Sequence, residues 1–118
     1  MTTLREAYEK VGASYDEVLH RLMDKDSMVE RFAGKFLDDP SYGQLTEALA
    51  NSDAEVAFRA AHTMKGVVQN IGLSNLYEPV YAITECLRGG SLDGADELFV
   101  PVREQYELTV AALREALG

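Results

Sequence analysis

Residues 53–72 read DAEVAFRAAHTMKGVVQNIG, a segment that carries the marks of one long helix from end to end. It opens on Asp53, a residue suited to accept a hydrogen bond from the first free N–H groups of a helix. It closes on Gly72, which can take the left-handed conformation that follows a helix C-terminus. No proline interrupts it. Turned at ~100° per residue, Val56, Ala60, Met64, Val67 and Ile71 fall in one narrow stripe, the expected core face. His62, Lys65, Gly66 and Gln69 fall on the opposite side, with Glu55, Phe58 and Arg59 around them. The spacing predicts a helix from Asp53 to Ile71 whose histidine points away from the core.

Similar punctuation continues on both sides. Upstream, Met1 to Val11 reads as a short amphipathic helix ended near Gly12. Ser14 can cap a second, with Asp16 and Glu17 in its first turn and Val18, Leu19 and Leu22 on its apolar side. Asp26 or Ser27 can cap a third, running from Met28 to about Leu37, with Met28, Phe32, Phe36 and Leu37 at helical spacing. Pro40 ends it, because the residue before a proline is pushed out of the α region. Another segment runs from Tyr42 to about Ala50, with Leu45, Ala48 and Leu49 apolar. Downstream, Leu73, Leu76, Val80, Ile83 and Leu87 recur at three- and four-residue spacing up to Gly89-Gly90, with Pro79 expected to loosen the first turns. The last helix runs from about Leu92 to Leu117, with Leu98, Val102, Tyr106, Thr109 or Val110, and Leu113 on one stripe and a bend at Pro101.

Short connections between long amphipathic helices favour antiparallel neighbours. The expectation is an all-α single domain over residues 1–118: an antiparallel four-helix bundle over about 27–117, with additional short N-terminal helices over 1–25. The start methionine and the compact length suggest a stand-alone protein.

Composition bounds the function classes. The net charge of −9, from 20 acidic and 11 basic residues, argues against nucleic acid and against an anionic membrane surface. Cys86 is alone, so no intrachain disulfide and no cysteine zinc site is expected. No apolar stretch approaches the ~20 residues needed to span a bilayer, and MTTLREAYEK lacks a signal-peptide core. A cytoplasmic protein that meets basic patches on other proteins fits best.

His62 has neighbours that give it a chemistry. Neutral imidazole is a nucleophile near pH 7. Lys65, one turn along, lies within reach of whatever the imidazole carries. Its ammonium should favour the neutral ring and then balance the charge of an attached anion. Gly66 costs ~1 kcal/mol in a helix interior relative to Ala, and the absent side chain leaves room for a bulky group and a partner's loop. Gln69 can donate to an oxygen of that group. Phe58, one turn before the histidine, and Ala61 complete an expected docking patch, since interface centres favour aromatics. No carboxylate or second histidine stands at metal-binding spacing from His62. The other histidine, His20, beside Arg21, reads as a surface residue.

Ala61-His62-Thr63-Met64-Lys65-Gly66, followed by Ile71-Gly72-Leu73 and Leu76, resembles the pattern of the histidine-containing phosphotransfer (HPt) domain. The flanks are similar: Phe36-Leu37-Asp38-Asp39-Pro40, Leu45, Leu49 and Asp53 before the histidine helix, then Glu85 to Gly90 after it. The resemblance runs from about Met28 to the C-terminus. It implies a phosphoacceptor histidine, modified on Nε2, exposed midway along one helix of the bundle. It implies phosphorelay signalling without kinase activity, with the phosphoryl group exchanged with the aspartate of a receiver domain. The partners are then a response-regulator receiver domain, a hybrid histidine kinase, or both. No cofactor belongs to the chain itself, because the receiver supplies the magnesium, and a monomer is expected. The family often places a Gln or Glu about 22 residues after the histidine to hold the other ring nitrogen. Here Thr84 stands there and Glu85 one step further, so both are candidates for the orienting role.

Other readings have less support. A non-catalytic helical docking module would not need His62, Lys65 and Gly66 together. The dimerisation domain of a sensor kinase usually carries an acidic residue after the histidine, where this chain has Thr63. A metal-carboxylate bundle needs paired Glu-x-x-His motifs, which are missing.

Overall fold

The computed structural model describes residues 2–118, and in them seven helices follow one another. They are α1 (Leu4–Val11), α2 (Tyr15–Arg21), α3 (Asp26–Leu37), α4 (Ser41–Ala50), α5 (Ala54–Asn70), α6 (Ser74–Arg88) and α7 (Ala95–Leu117). The described residues contain no strand. Met1, placed by its sequence in the first helix, lies outside them.

Most helix ends have a local cause in the sequence. Thr3 and Glu6 form a reciprocal capping box at α1, and Gly12 ends that helix at φ 85°. Ser14 accepts from the Glu17 N–H at 3.3 Å to start α2. Asp53 accepts from the Val56 N–H at 3.1 Å to start α5. Three starts differ from the expectation: α1 begins at Leu4 and not at Met1, and α3 and α7 differ as well. Helix α3 already includes Asp26, so Lys25, whose side chain has no acceptor to offer, stands at its N-cap and no side chain caps it, while the Asp26 carboxylate accepts from the Tyr15 hydroxyl. Helix α7 starts at Ala95, not near Leu92, since Gly94 takes φ 84° and breaks the backbone just before it. Pro79 and Pro101 lie inside α6 and α7, each helix continuing through its proline.

The helices pack as a bundle: α5 lies against both α4 and α6, α6 against α7, and α7 also carries α1 and touches α3. Aromatic rings join α4 and α3 to α7. The Tyr42 and Tyr106 rings stack with centroids 3.6 Å apart, and Phe36 meets Tyr106 at 5.8 Å. From the N-cap Leu73 along α6, the periodic set Leu73, Leu76, Val80, Ile83 and Leu87 is fully buried, as its spacing requires.

The inner face of α5 differs from the expected stripe. Ala57, Ala60, Ala61, Met64 and Val68 are buried, whereas Val56 is 36% exposed and Val67 only half-buried. The centre of the buried face lies about half a residue's turn, ~50°, from the stripe drawn through its valines, and Ala60 and Met64 belong to both. It packs against two neighbours at once, so its buried face is broad, and small alanines fill much of it.

The C-terminal end of α5 is gripped by α1 and α2. The buried Tyr8 hydroxyl donates to the Ile71 carbonyl at 2.5 Å, and its burial pushes the phenol's pKa up. Arg21 donates to the Gln69 carbonyl at 2.6 Å, placing a cation at the negative end of the helix dipole. Gly72 turns the chain at φ 67°, and a Cβ built there would stand 3.0 Å from the Val18 Cβ.

This predicts a graded pair of variants. Gly72→Ala should lose about 1–3 kcal/mol of stability, from the left-handed backbone and the Val18 contact together. Gly12→Ala, where the backbone is also left-handed but nothing lies within 4 Å, should lose about 1 kcal/mol. Urea unfolding of both checks this, and equal losses would remove Val18 from the account.

Candidate functional site

His62 sits midway along α5 with its side chain exposed. It makes no side-chain hydrogen bond among the described residues. Its ring lies against Phe58, one turn earlier, with centroids 5.9 Å apart and planes 25° off parallel. Phe58 is half-buried and packs against the rim of the core. Over its ring stands the Arg88 guanidinium of α6, 5.1 Å from the centroid. Arg88 is itself tied down: Nε and Nη2 both donate to Glu85 Oε2, at 3.1 and 2.9 Å. Those hydrogen bonds hold the Glu85 carboxyl below the usual carboxylate range, with smaller contributions from Lys65 and His62.

Lys65 follows His62 on the same face and is half-buried. Its Nζ stands 5.7 Å from the centroid of the Tyr81 ring on α6, within the range of a cation–π attraction. Tyr81 is 43% exposed and stacks in turn on Tyr77, centroids 6.0 Å apart. The outer side of α6 thus supplies two cation–aromatic contacts beside the histidine.

Gly66 lies next to Lys65 with open space around it. A Cβ built there meets no atom within 4 Å, so nothing inside the protein demands a glycine at this point in a helix. Gln69 is exposed, its backbone carbonyl taken by Arg21. His62, Lys65, Gly66 and Gln69 therefore share one accessible face, as their spacing predicts.

Three expectations need correction. Ala61 is fully buried, because α5 is turned so that this alanine faces its neighbours, and it cannot take part in a docking patch. Thr84 is also fully buried, and its hydroxyl donates to the Val80 carbonyl one turn back, at 2.6 Å. No hydrogen bond joins it to His62. Glu85 is exposed and near the histidine, but its carboxylate is engaged by Arg88 and makes no hydrogen bond to the ring either. Neither candidate holds a ring nitrogen.

Tyr77, Tyr81 and Arg88 join the site although they are not among its expected residues. A signal was present: Tyr77, Tyr81, Glu85 and Arg88 recur at four, four and three residues along α6, the spacing of one exposed helix face. His20 is exposed beside Asp24, 4.0 Å away, as expected of a surface residue.

Among the described residues, no group of His, Cys, Asp or Glu side chains could hold a metal ion. No helix there is long and apolar enough to cross a membrane. A cleft of about 380 Å³ between α2, α3 and α5 is lined by Phe32, Phe36 and Val67 with Arg21 and Lys35 at its edge, and it includes none of the residues around His62.

The family model described as Hpt domain matches residues 39–116, from just before α4 to the last turn of α7. No curated protein and no solved structure matches the chain. The matched span covers well over half of the 118 residues and includes the whole face built around His62. Hpt domains are phosphotransfer carriers rather than kinases, and they typically interact with receiver domains and kinases. On that match, the chain belongs to the Hpt domain family of phosphorelay signalling proteins.

Proposed function

We propose that His62 accepts a phosphoryl group from the phospho-aspartate of one receiver domain and passes it to the aspartate of another. The observation that carries this reading is an exposed imidazole, free of hydrogen bonds, with open space above the neighbouring Gly66. The Nε2 lone pair attacks the phosphorus, and an N–P bond forms as the P–O bond to the aspartyl carboxylate breaks. The electron pair of that bond leaves on the carboxylate. The ring, now positively charged, releases its Nδ1 proton to water. Delivery to the second aspartate is the same exchange in reverse.

The neighbours have separate roles. The Lys65 ammonium balances the charge that arrives on the ring, Gly66 leaves the approach clear, and Gln69 donates to a phosphoryl oxygen. Magnesium belongs to the receiver's acid pocket, and this chain brings no cofactor and no kinase activity. The partners are a response-regulator receiver domain, a hybrid histidine kinase, or both. We read residues 1–118 as a single Hpt domain acting as a cytoplasmic monomer. Its antiparallel four-helix bundle lies over about residues 27–117, with α1 and α2 as additional short N-terminal helices.

The test is covalent. Incubated with a phosphorylated receiver domain and magnesium, the protein should gain an acid-labile, alkali-stable phosphoryl group, and His62→Gln should gain none. Equal labelling of the variant would place the acceptor elsewhere. A receiver that binds tightly but never labels the parent would make the domain a docking module.

Gly66→Gln separates clearance from folding. With no atom within 4 Å of a Cβ at this position, stability should hold or rise by about 0.5 kcal/mol, because glycine is a poor helix former. Transfer should fall by about 10- to 100-fold as the new side chain displaces the incoming group. Parallel loss of the melting transition would assign Gly66 to packing.

A further inference from the structure

An exposed imidazole turns freely about its Cβ–Cγ bond unless something fixes its plane, and in-line transfer needs Nε2 aimed at the partner. A hydrogen bond from the second ring nitrogen is one way to fix it. Here Thr84 is buried with its hydroxyl donated to Val80, and Glu85 is engaged by Arg88. Instead, the His62 ring rests on Phe58. Phe58 is constrained on several sides, by the core rim beneath it, by His62, and by the Arg88 guanidinium over its ring. Arg88 is locked to Glu85 by two donations to one oxygen, so the chain of contacts runs from α6 back to the reactive ring on α5.

We propose that ring stacking on Phe58, clamped by the Arg88–Glu85 pair, is what orients His62. This rests on the reading of His62 as the phosphoacceptor and names its supports. Phe58 and Arg88 are then positioning residues. The arrangement leaves both ring nitrogens open to water and to the incoming group, and it fixes the plane of the ring without occupying either nitrogen. An aromatic side chain at residue 58 is required for it, whereas an aliphatic one of similar bulk fills the same space without presenting a flat face.

The experiment compares Phe58→Leu, Phe58→Tyr, Arg88→Met and Arg88→Lys in the full chain by two measurements. The first is the proton resonances of the His62 ring. The stacked Phe58 ring should displace them upfield, Phe58→Leu should abolish the displacement, and Phe58→Tyr should keep it. The second is transfer from a phosphorylated receiver as a function of receiver concentration. Phe58→Leu and Arg88→Met should lower the maximal rate by about 3- to 10-fold with the half-saturating concentration unchanged. Phe58→Tyr and Arg88→Lys should restore most of the rate. A rise in the half-saturating concentration alone would make Phe58 a docking anchor and overturn the positioning role. Ring resonances unmoved by Phe58→Leu would overturn it as well. A labelled parent with an equally fast Phe58→Leu removes the positioning role alone, whereas an unlabelled parent removes the acceptor reading and the positioning role with it. Arg88 is exposed, so its variants keep the test valid if Phe58→Leu folds poorly.

Discussion

The inner face of α5 buries Ala57, Ala61, Met64 and Val68 against its neighbours α4 and α6, and that burial fixes how the helix is turned about its own axis. A rotation of one residue would carry the exposed face toward a neighbouring helix and bring Val56 inward. The cost would be the loss of a closely packed Met64 together with the burial of polar groups without partners. The alanines matter as much as the methionine, since small side chains let neighbouring helices approach closely. The direction of His62 is a consequence of this packing.

Axial position is held separately, at the far end of the helix. The last carbonyls of a helix have no partner within it. In α5 they are met by Tyr8 of α1 and Arg21 of α2, while Gly72 turns the chain against Val18. Helices α1 and α2 lie outside the residues matched by the family model, yet they anchor the helix that carries the histidine. A burial interaction and an end clamp together leave α5 little freedom to twist or slide.

Charge is distributed unevenly over this protein. The chain carries −9 overall, but the surroundings of His62 include Arg59, Lys65 and Arg88. Arg88 is paired with Glu85 at 2.9 Å, and Arg59 lies 3.9 Å from Glu55. Lys65 faces the Tyr81 ring instead of a carboxylate, so its charge is left uncompensated by a salt bridge. A local cation of this kind on an acidic protein gives an incoming anion a favourable place to settle.

Much of this was legible in the residues. Capping at Asp53, the glycine turn at Gly72, the periodic core of α6 and the shared face of His62, Lys65, Gly66 and Gln69 all follow from short-range rules of helix geometry. Those rules act over one or two turns, and the sequence states them completely. The inner face of α5 lies about half a residue's turn from the expected stripe, because its alanines carry little hydrophobic signal while the valines draw the pattern toward themselves. Ala61 was placed outside for the same reason. What surrounds His62 was decided by tertiary structure. Phe58 lies on its own helix, but Arg88, Glu85 and Tyr81 reach the site only because α6 packs against α5 in one register. Side chains on different helices meet according to that register, which depends on the fit of two whole surfaces. Helix periodicity alone says which face of α5 carries the histidine, while packing between helices sets which side chains surround it.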